Sequence, residues 1–299
     1  MTMRNTHLMS LRRSGLSPFA FGFVMLLFCT LVSGAEGDSG KGPYESDRLI
    51  IGISPWTHQA LLFKWGKPII EHVQRYTDKK VAIGSAGDLP SYFKRAKEGS
   101  YDVLVSPINF GLHLVREEGF TPLLWARVGY QSVLVCDQAS GHKQLKDLNG
   151  EAVTFPSPWA STALVMAHAF EEVGVEVKPQ YVKSQWEVIE SLLGGKTPCA
   201  VILSNLYETK SSRLKSRFFE IYRDPIVMDA VLVAPPSTKK VDLEAVKSLA
   251  TGFDSPGSIV KGFDLVAPAS DELQSRFQEM APILKRFKSV LGNVKEGIK

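Results

Sequence analysis

The chain has little cysteine and no concentrated charge. Three cysteines occur in 299 residues, at 29, 136 and 199, and the six histidines are scattered, so no zinc-spaced Cys/His set exists. There is no Gly-x-Ser-x-Gly elbow and no block of consecutive Lys/Arg. Gly195-Lys196-Thr197 imitates the end of a phosphate-binding P-loop, but Glu190 stands where the first glycine is required, and the triplet follows a helical pattern instead of preceding one. His168 with Glu171 or Glu172 could share a helix face, where such a pair reads as a solvated edge and not a metal site. Because no nucleophile, base and orienting group assemble, no enzyme, cofactor or metal is expected.

Hydrophobic runs are short as well. The longest, Pro18 to Val32, follows Arg4, Arg12 and Arg13 and precedes Ser33-Gly34-Ala35. Roughly 15 apolar residues fall short of the ~20 needed to cross a bilayer. Residues 1–35 therefore read as a cleavable signal peptide cut after Ala35, and the mature chain as periplasmic. Phe28 before Cys29, where a small residue is wanted, argues against lipidation. The leader carries three of the 35 basic residues and none of the 31 acidic ones, so the mature chain is close to neutral and nucleic acid is excluded as a partner. Cys136 and Cys199 could pair if their α-carbons lie within about 7 Å; two separate buried thiols are the preferred reading.

What is present is alternation. Arg48–Ser54, Lys80–Gly84 and Tyr101–Ser106 read as strands, separated by helical patterns around Leu61–Val73 and Leu89–Lys97, with Pro68 expected to kink or divide the first. A helix near Phe110–Glu118 follows, then a β-prone run Gln131–Cys136. A short helical turn ends at Gly150, before a second series: strand Ala152–Phe155, helix Ser161–Val173, strand Gln180–Val182, helix Gln185–Leu193 and strand Cys199–Leu203. Met228–Ala234 is again β-prone, and the tail reads as helix over Leu243–Gly252 and Asp271–Leu291. The fold class is α/β: two lobes, each with a parallel-type helix-covered sheet, joined by two crossing strands. Lobe 1 is expected at 47–134 plus 230–299 and lobe 2 at 135–229. Ligands in such folds sit beyond the carboxyl ends of the strands, here in the cleft between lobes.

The segment Phe155-Pro-Ser-Pro-Trp-Ala-Ser-Thr-Ala163 joins a strand to a helix. Ser157, Ser161 and Thr162 bring hydroxyls to a helix N-terminus whose free N–H groups favour an anion. The plainer alternative, that Ser157 or Ser161 simply caps the helix, is favoured by the sequence alone. Trp56 after the first strand, Phe110 after the third, Trp159, and Tyr130 entering the first crossing strand are expected on the cleft wall, whereas Trp65 and Trp125 are expected in the core.

Taken in order, Ile51-Gly-Ile-Ser-Pro-Trp56, Tyr101-Asp-Val-Leu-Val-Ser-Pro107 with Phe110, Tyr130-Gln-Ser-Val-Leu-Val135, Leu145-Lys-Asp-Leu-Asn-Gly150 and the pair Ser161-Thr162 resemble the PhnD-like phosphate/phosphonate-binding proteins of bacterial ABC importers. The resemblance implies a type II periplasmic binding fold with a hinged cleft, and Ser161 and Thr162 holding the anion's oxygens. Where phosphonate binders often carry Ser-His, this chain has Ser184-Gln185, and Ser204 or Asn205 replaces the acidic residue expected after the later strand. Gln185 can still donate a hydrogen bond, but a ligand amine loses its partner. The expected partners are a small anionic ligand and an ABC permease, with the chain a monomer. A membrane kinase or cyclase sensor, or an exported enzyme, are the alternatives.

Overall fold

The computed structural model describes residues 47–55, 59–209, 216–251, 253 and 264–296. The expected signal peptide and Trp56 lie outside the described residues. In chain order the described elements are β1 (Arg48–Ile53), α1 (Gln59–Val73), β2 (Lys80–Gly84), α2 (Leu89–Lys97), β3 (Val103–Pro107), α3 (Ile108–Glu118), β4 (Thr121–Asp137), β5 (Ala152–Phe155) and α4 (Ser161–Glu172). They continue with β6 (Lys178–Tyr181), α5 (Gln185–Leu193), β7 (Cys199–Leu203), α6 (Ser204–Thr209), β8 (Phe218–Ala234), α7 (Lys240–Lys247), β9 (Asp264–Val266), α8 (Ser270–Glu279) and α9 (Ala281–Glu296). Among the described residues no helix is long and apolar enough to cross a membrane.

The strands hydrogen-bond in the order β2-β1-β3-β8-β4-β7-β5-β6, with β9 added against β4. At either end lies a parallel trio, β2-β1-β3 and β7-β5-β6, and between them run β8 and β4, antiparallel to each other and to their neighbours. The two expected crossing strands are thus present, but longer than Gln131–Cys136 and Met228–Ala234. They also pair with each other from Thr121↔Ala234 to Asp137↔Phe218, so one ladder runs through both halves. Their extra length was hidden by polar breaks in the apolar pattern. At Val128 and Gly129 the ladder shifts register, and the Asp229 carboxylate accepts both amides, at 3.1 and 3.3 Å. Near Pro225, which has no N–H to offer, Gln131 Nε2 donates to the Asp224 carbonyl (2.9 Å) and Ile226 N donates to the Asp224 carboxylate (2.9 Å).

Two expectations are corrected here. Cys136 and Cys199, taken as separate thiols, form a disulfide across the β4–β7 pair, with α-carbons 4.1 Å apart; they are register partners, which their separation of 63 residues conceals. The single helix expected over Asp271–Leu291 is two, α8 and α9, divided at Met280. Pro282 lacks the N–H that a continuing helix would require, and proline is well suited to a first turn. By contrast α1 runs unbroken through Pro68, anchored by the buried Leu62, Ile69 and Val73.

Packing divides along the same lines. Leu49, Ile51, Val103 and Leu232 lie buried with Leu62 of α1 in the first half; Leu134, Val153, Met166 and Phe170 do so in the second. Gly111 in α3 faces Val231 so closely that any Cβ there would collide with it, bringing α3 tight against β8.

Two histidines are held neutral by this packing. Burial pushes the His113 imidazole below its ordinary value, against the pull of Glu117 and Glu118. Burial does the same for His72, assisted by Arg75; Arg75 donates to Nδ1 (2.7 Å), so Nε2 carries the proton toward the Ser248 carbonyl at 3.0 Å. With folded values below the unfolded value of about 6.5, the unfolded chain binds protons first as pH falls. Stability is therefore full above about 6.5 and is lost below it, down to the folded values. Urea unfolding midpoints measured between about pH 8 and pH 5 should fall with acidification, and His113→Gln should flatten the slope. A flat wild-type profile would contradict this reading.

Candidate functional site

Pro55 follows β1, Pro107 ends β3, Pro156 follows β5 and Leu203 ends β7, and all four line one cavity of about 370 Å³. The strands' carboxyl ends thus converge on a single cleft, where open α/β sheets place their ligands.

The segment from β5 to α4 is shaped by its own side chains. Pro156 and Pro158 stop regular structure, Ala160 N closes a turn on the Ser157 carbonyl (2.8 Å), and Ser157 Oγ accepts from Trp159 N (3.3 Å). The N-cap is Ala160, with no side-chain hydrogen bond, so neither Ser157 nor Ser161 caps the helix. The first main-chain bond is Leu164 N to the Ala160 carbonyl (3.1 Å), leaving the amides of Ser161, Thr162 and Ala163 as the orphan donors of the first turn. Ser157, Ala160, Ser161 and Thr162 all line the cleft.

The hydroxyls are ordered by two amides. Asn109, fully buried at the start of α3, donates Nδ2 to the Trp159 carbonyl (3.2 Å), which turns its Oδ1 to Ser161; Ser161 Oγ must therefore donate, at 2.6 Å. Gln185 Nε2 donates to Thr162 Oγ1 (3.0 Å), while its Oε1 accepts from Leu203 N (3.3 Å). Thr162 Oγ1 accepts a hydrogen bond from Gln185 and so keeps its own hydroxyl hydrogen to donate, whereas Ser161 has committed its hydroxyl hydrogen to Asn109 and offers lone pairs.

Tyr130 and Asn205 also line the cleft. Burial raises the Tyr130 phenol above its ordinary value, partly offset by a hydrogen bond with Asn205, whose Oδ1 is buried without a partner among the described residues. Ser204 lies behind the wall, its Oγ accepting from Gln131 N at 3.1 Å. Phe110 and Trp159, expected on the cleft wall, are instead buried in an aromatic cluster. Phe110 stacks on Phe287 at 4.9 Å between centroids, and Trp159 packs edge-on against Phe93, Phe110 and Phe287. Trp125 is core, as expected. The packing of Trp159 against Phe93, Phe110 and Phe287 holds the loop that starts α4.

Sequence reasoning left out Lys183 and Asp229, and gave Asn109 no part beyond its place in the loop after the third strand. Nothing in the sequence pairs Asn109 with a serine 52 positions away, and Asp229 sits inside a β-prone run. Asp229 and Lys183 are the charged residues among those lining the cleft, and Asp229 is already paired with Arg276. Among the described residues no group of His, Cys, Asp or Glu could hold a metal ion.

Two helix-flanked parallel trios, joined by paired crossing strands over a polar-rimmed cleft, define a type II periplasmic binding protein. Residues 51–284 match the family model described as ABC transporter, phosphonate, periplasmic substrate-binding protein, and the chain belongs to that family. Among solved structures, XAC2383 from Xanthomonas citri bound to chloride ion is similar at 14% identity, with a TM-score of 0.67, over 81% of this chain and 99% of that one. PhnD1 from Prochlorococcus marinus in complex with methylphosphonate is similar at 14% identity and TM-score 0.67, over 79% and 99%. A binding protein component of an ABC phosphonate transporter from Pseudomonas aeruginosa gives 14% and 0.64, over 84% and 97%. No curated protein matches the chain.

Proposed function

We propose that the chain captures a small oxyanion, phosphate-like or phosphonate-like, in this cleft and delivers it to the membrane permease of an ABC importer. The observation that carries the reading is the uncapped start of α4 opening into the cavity beside Thr162 and Gln185. Three unpaired amides and the positive end of a twelve-residue helix attract negative charge without a cationic cage. Thr162 adds a hydroxyl donor, and Ser161, which can only accept while Asn109 holds its proton, suits an anion that still carries an O–H. Methylphosphonate in the structurally similar PhnD1 is an anion of this kind. The chain acts as a carrier and not an enzyme, in the periplasm, after loss of residues 1–35.

Lobe 1 (47–134 plus 230–299) and lobe 2 (135–229) would open and close about β4 and β8. The ligand stabilises the closed form only by its preference for closed over open, a shift of population. Calorimetry with phosphate, phosphite, methylphosphonate and sulfate tests the reading. Ser161→Ala combined with Thr162→Val should weaken the best binder about tenfold to a hundredfold, since hydrogen bonds to charged groups are worth about 1.5–3 kcal/mol. Unchanged affinity in that double variant, or no binding by any of the four, would count against the site.

A further inference from the structure

The cavity is larger and more apolar than a bare oxyanion requires. Its volume of about 370 Å³ falls in the range of about 300–1,000 Å³ that accommodates drug-sized molecules. Among the other lining residues are Leu89, Val128, Leu203, Leu206 and Met228, with Trp186 beside Gln185 in sequence. Water against such walls finds few partners, so an apolar group that displaces it gains free energy.

The charged side chains narrow the choice further. Asp229 could be mistaken for an ammonium site, but one carboxylate oxygen accepts from Val128 and Gly129, and the other is paired with Arg276. Lys183 is the one cation among the described lining residues, so a second negative group on the ligand would have little to meet. We infer that the ligand is amphiphilic: a phosphonate-type anionic head seated at the start of α4, carrying an uncharged alkyl or aryl body of several carbons that fills the apolar part of the cleft. This rests on the anion-capture reading above and deepens it.

The test is isothermal titration of the full-length mature chain with n-alkylphosphonates from methyl to hexyl, alongside 2-aminoethylphosphonate and 1-hexanol. Affinity should rise about fourfold per added methylene until the cavity is full, since each buried CH₂ contributes about 0.8 kcal/mol. The aminoethyl compound should bind no tighter than ethylphosphonate, and hexanol should bind far more weakly than hexylphosphonate. If affinity is flat or falls with chain length while methylphosphonate binds, this inference is overturned and anion capture stands; a tighter aminoethyl compound overturns it too. If no phosphonate binds, this inference fails and anion capture then stands or falls with phosphate, phosphite and sulfate; if hexanol matches hexylphosphonate, anion capture fails with it.

Discussion

Phe287→Ala lowers the unfolding free energy by about 3–5 kcal/mol and loosens the anion site at the same time. The Phe287 ring is fully buried, stacked on Phe110 and edge-on to Phe93, His113 and Trp159. Truncation removes the transfer free energy of a whole ring and leaves a void that its aromatic neighbours cannot easily fill. The functional arm follows from Trp159. Its backbone carbonyl orients Asn109, and Asn109 in turn holds Ser161. A ring on the C-terminal helix α9 thereby positions a helix start well over a hundred residues earlier in the chain. Urea unfolding measures the stability and calorimetry the affinity. Phe287→Leu, which keeps much of the volume, should lose less of both. An alanine variant within about 1 kcal/mol of wild type would show that the cluster does not hold the loop.

Reducing the Cys136–Cys199 disulfide, or replacing both cysteines with alanine, lowers stability by about 4 kcal/mol with little change in anion affinity. The bond ties residues 63 apart, and the loop entropy it removes from the unfolded chain grows slowly with that length. Both half-cystines are fully buried among Leu134, Val153 and Val201, and neither lines the cleft, so the effect falls on the fold. Denaturation with and without dithiothreitol measures it. Coincident curves would mean that the β4–β7 pairing needs no covalent support.

Much of the order of elements was readable because several apolar runs end at a glycine stop signal. Gly99, Gly119, Gly150 and Gly174 all take left-handed angles at the ends of helices or turns, where a side chain would be strained. The position of the cleft was readable too, since it follows from where parallel strands end. What escaped was anything that depends on which side of the chain a residue faces. Phe110 and Trp159 sit at strand ends, as wall residues would, but a ring there can turn to the cleft or to the core, and only the distant Phe287 decides it. The cysteine pair depends on strand register, which the local pattern does not specify. Asp229 read only as one position of a β-prone run, although its carboxylate accepts the amides of Val128 and Gly129 where the ladder shifts.

The continuous β4–β8 pairing limits how the two halves can move. A slip of one residue would turn every side chain of the moving strand to the opposite face, forcing Val133 and Val135 into the packing that Leu134 and Cys136 now fill, and Leu232 into that of Val231 and Val233. Sliding is therefore costly, and the proposed opening and closing would bend the ladder at its irregular rungs, two of which fall between Ala126 and Tyr130 and between Gln131 and Val133. Those rungs adjoin Tyr130 in the cleft wall, so under the proposed function the joint and the guest would share one address.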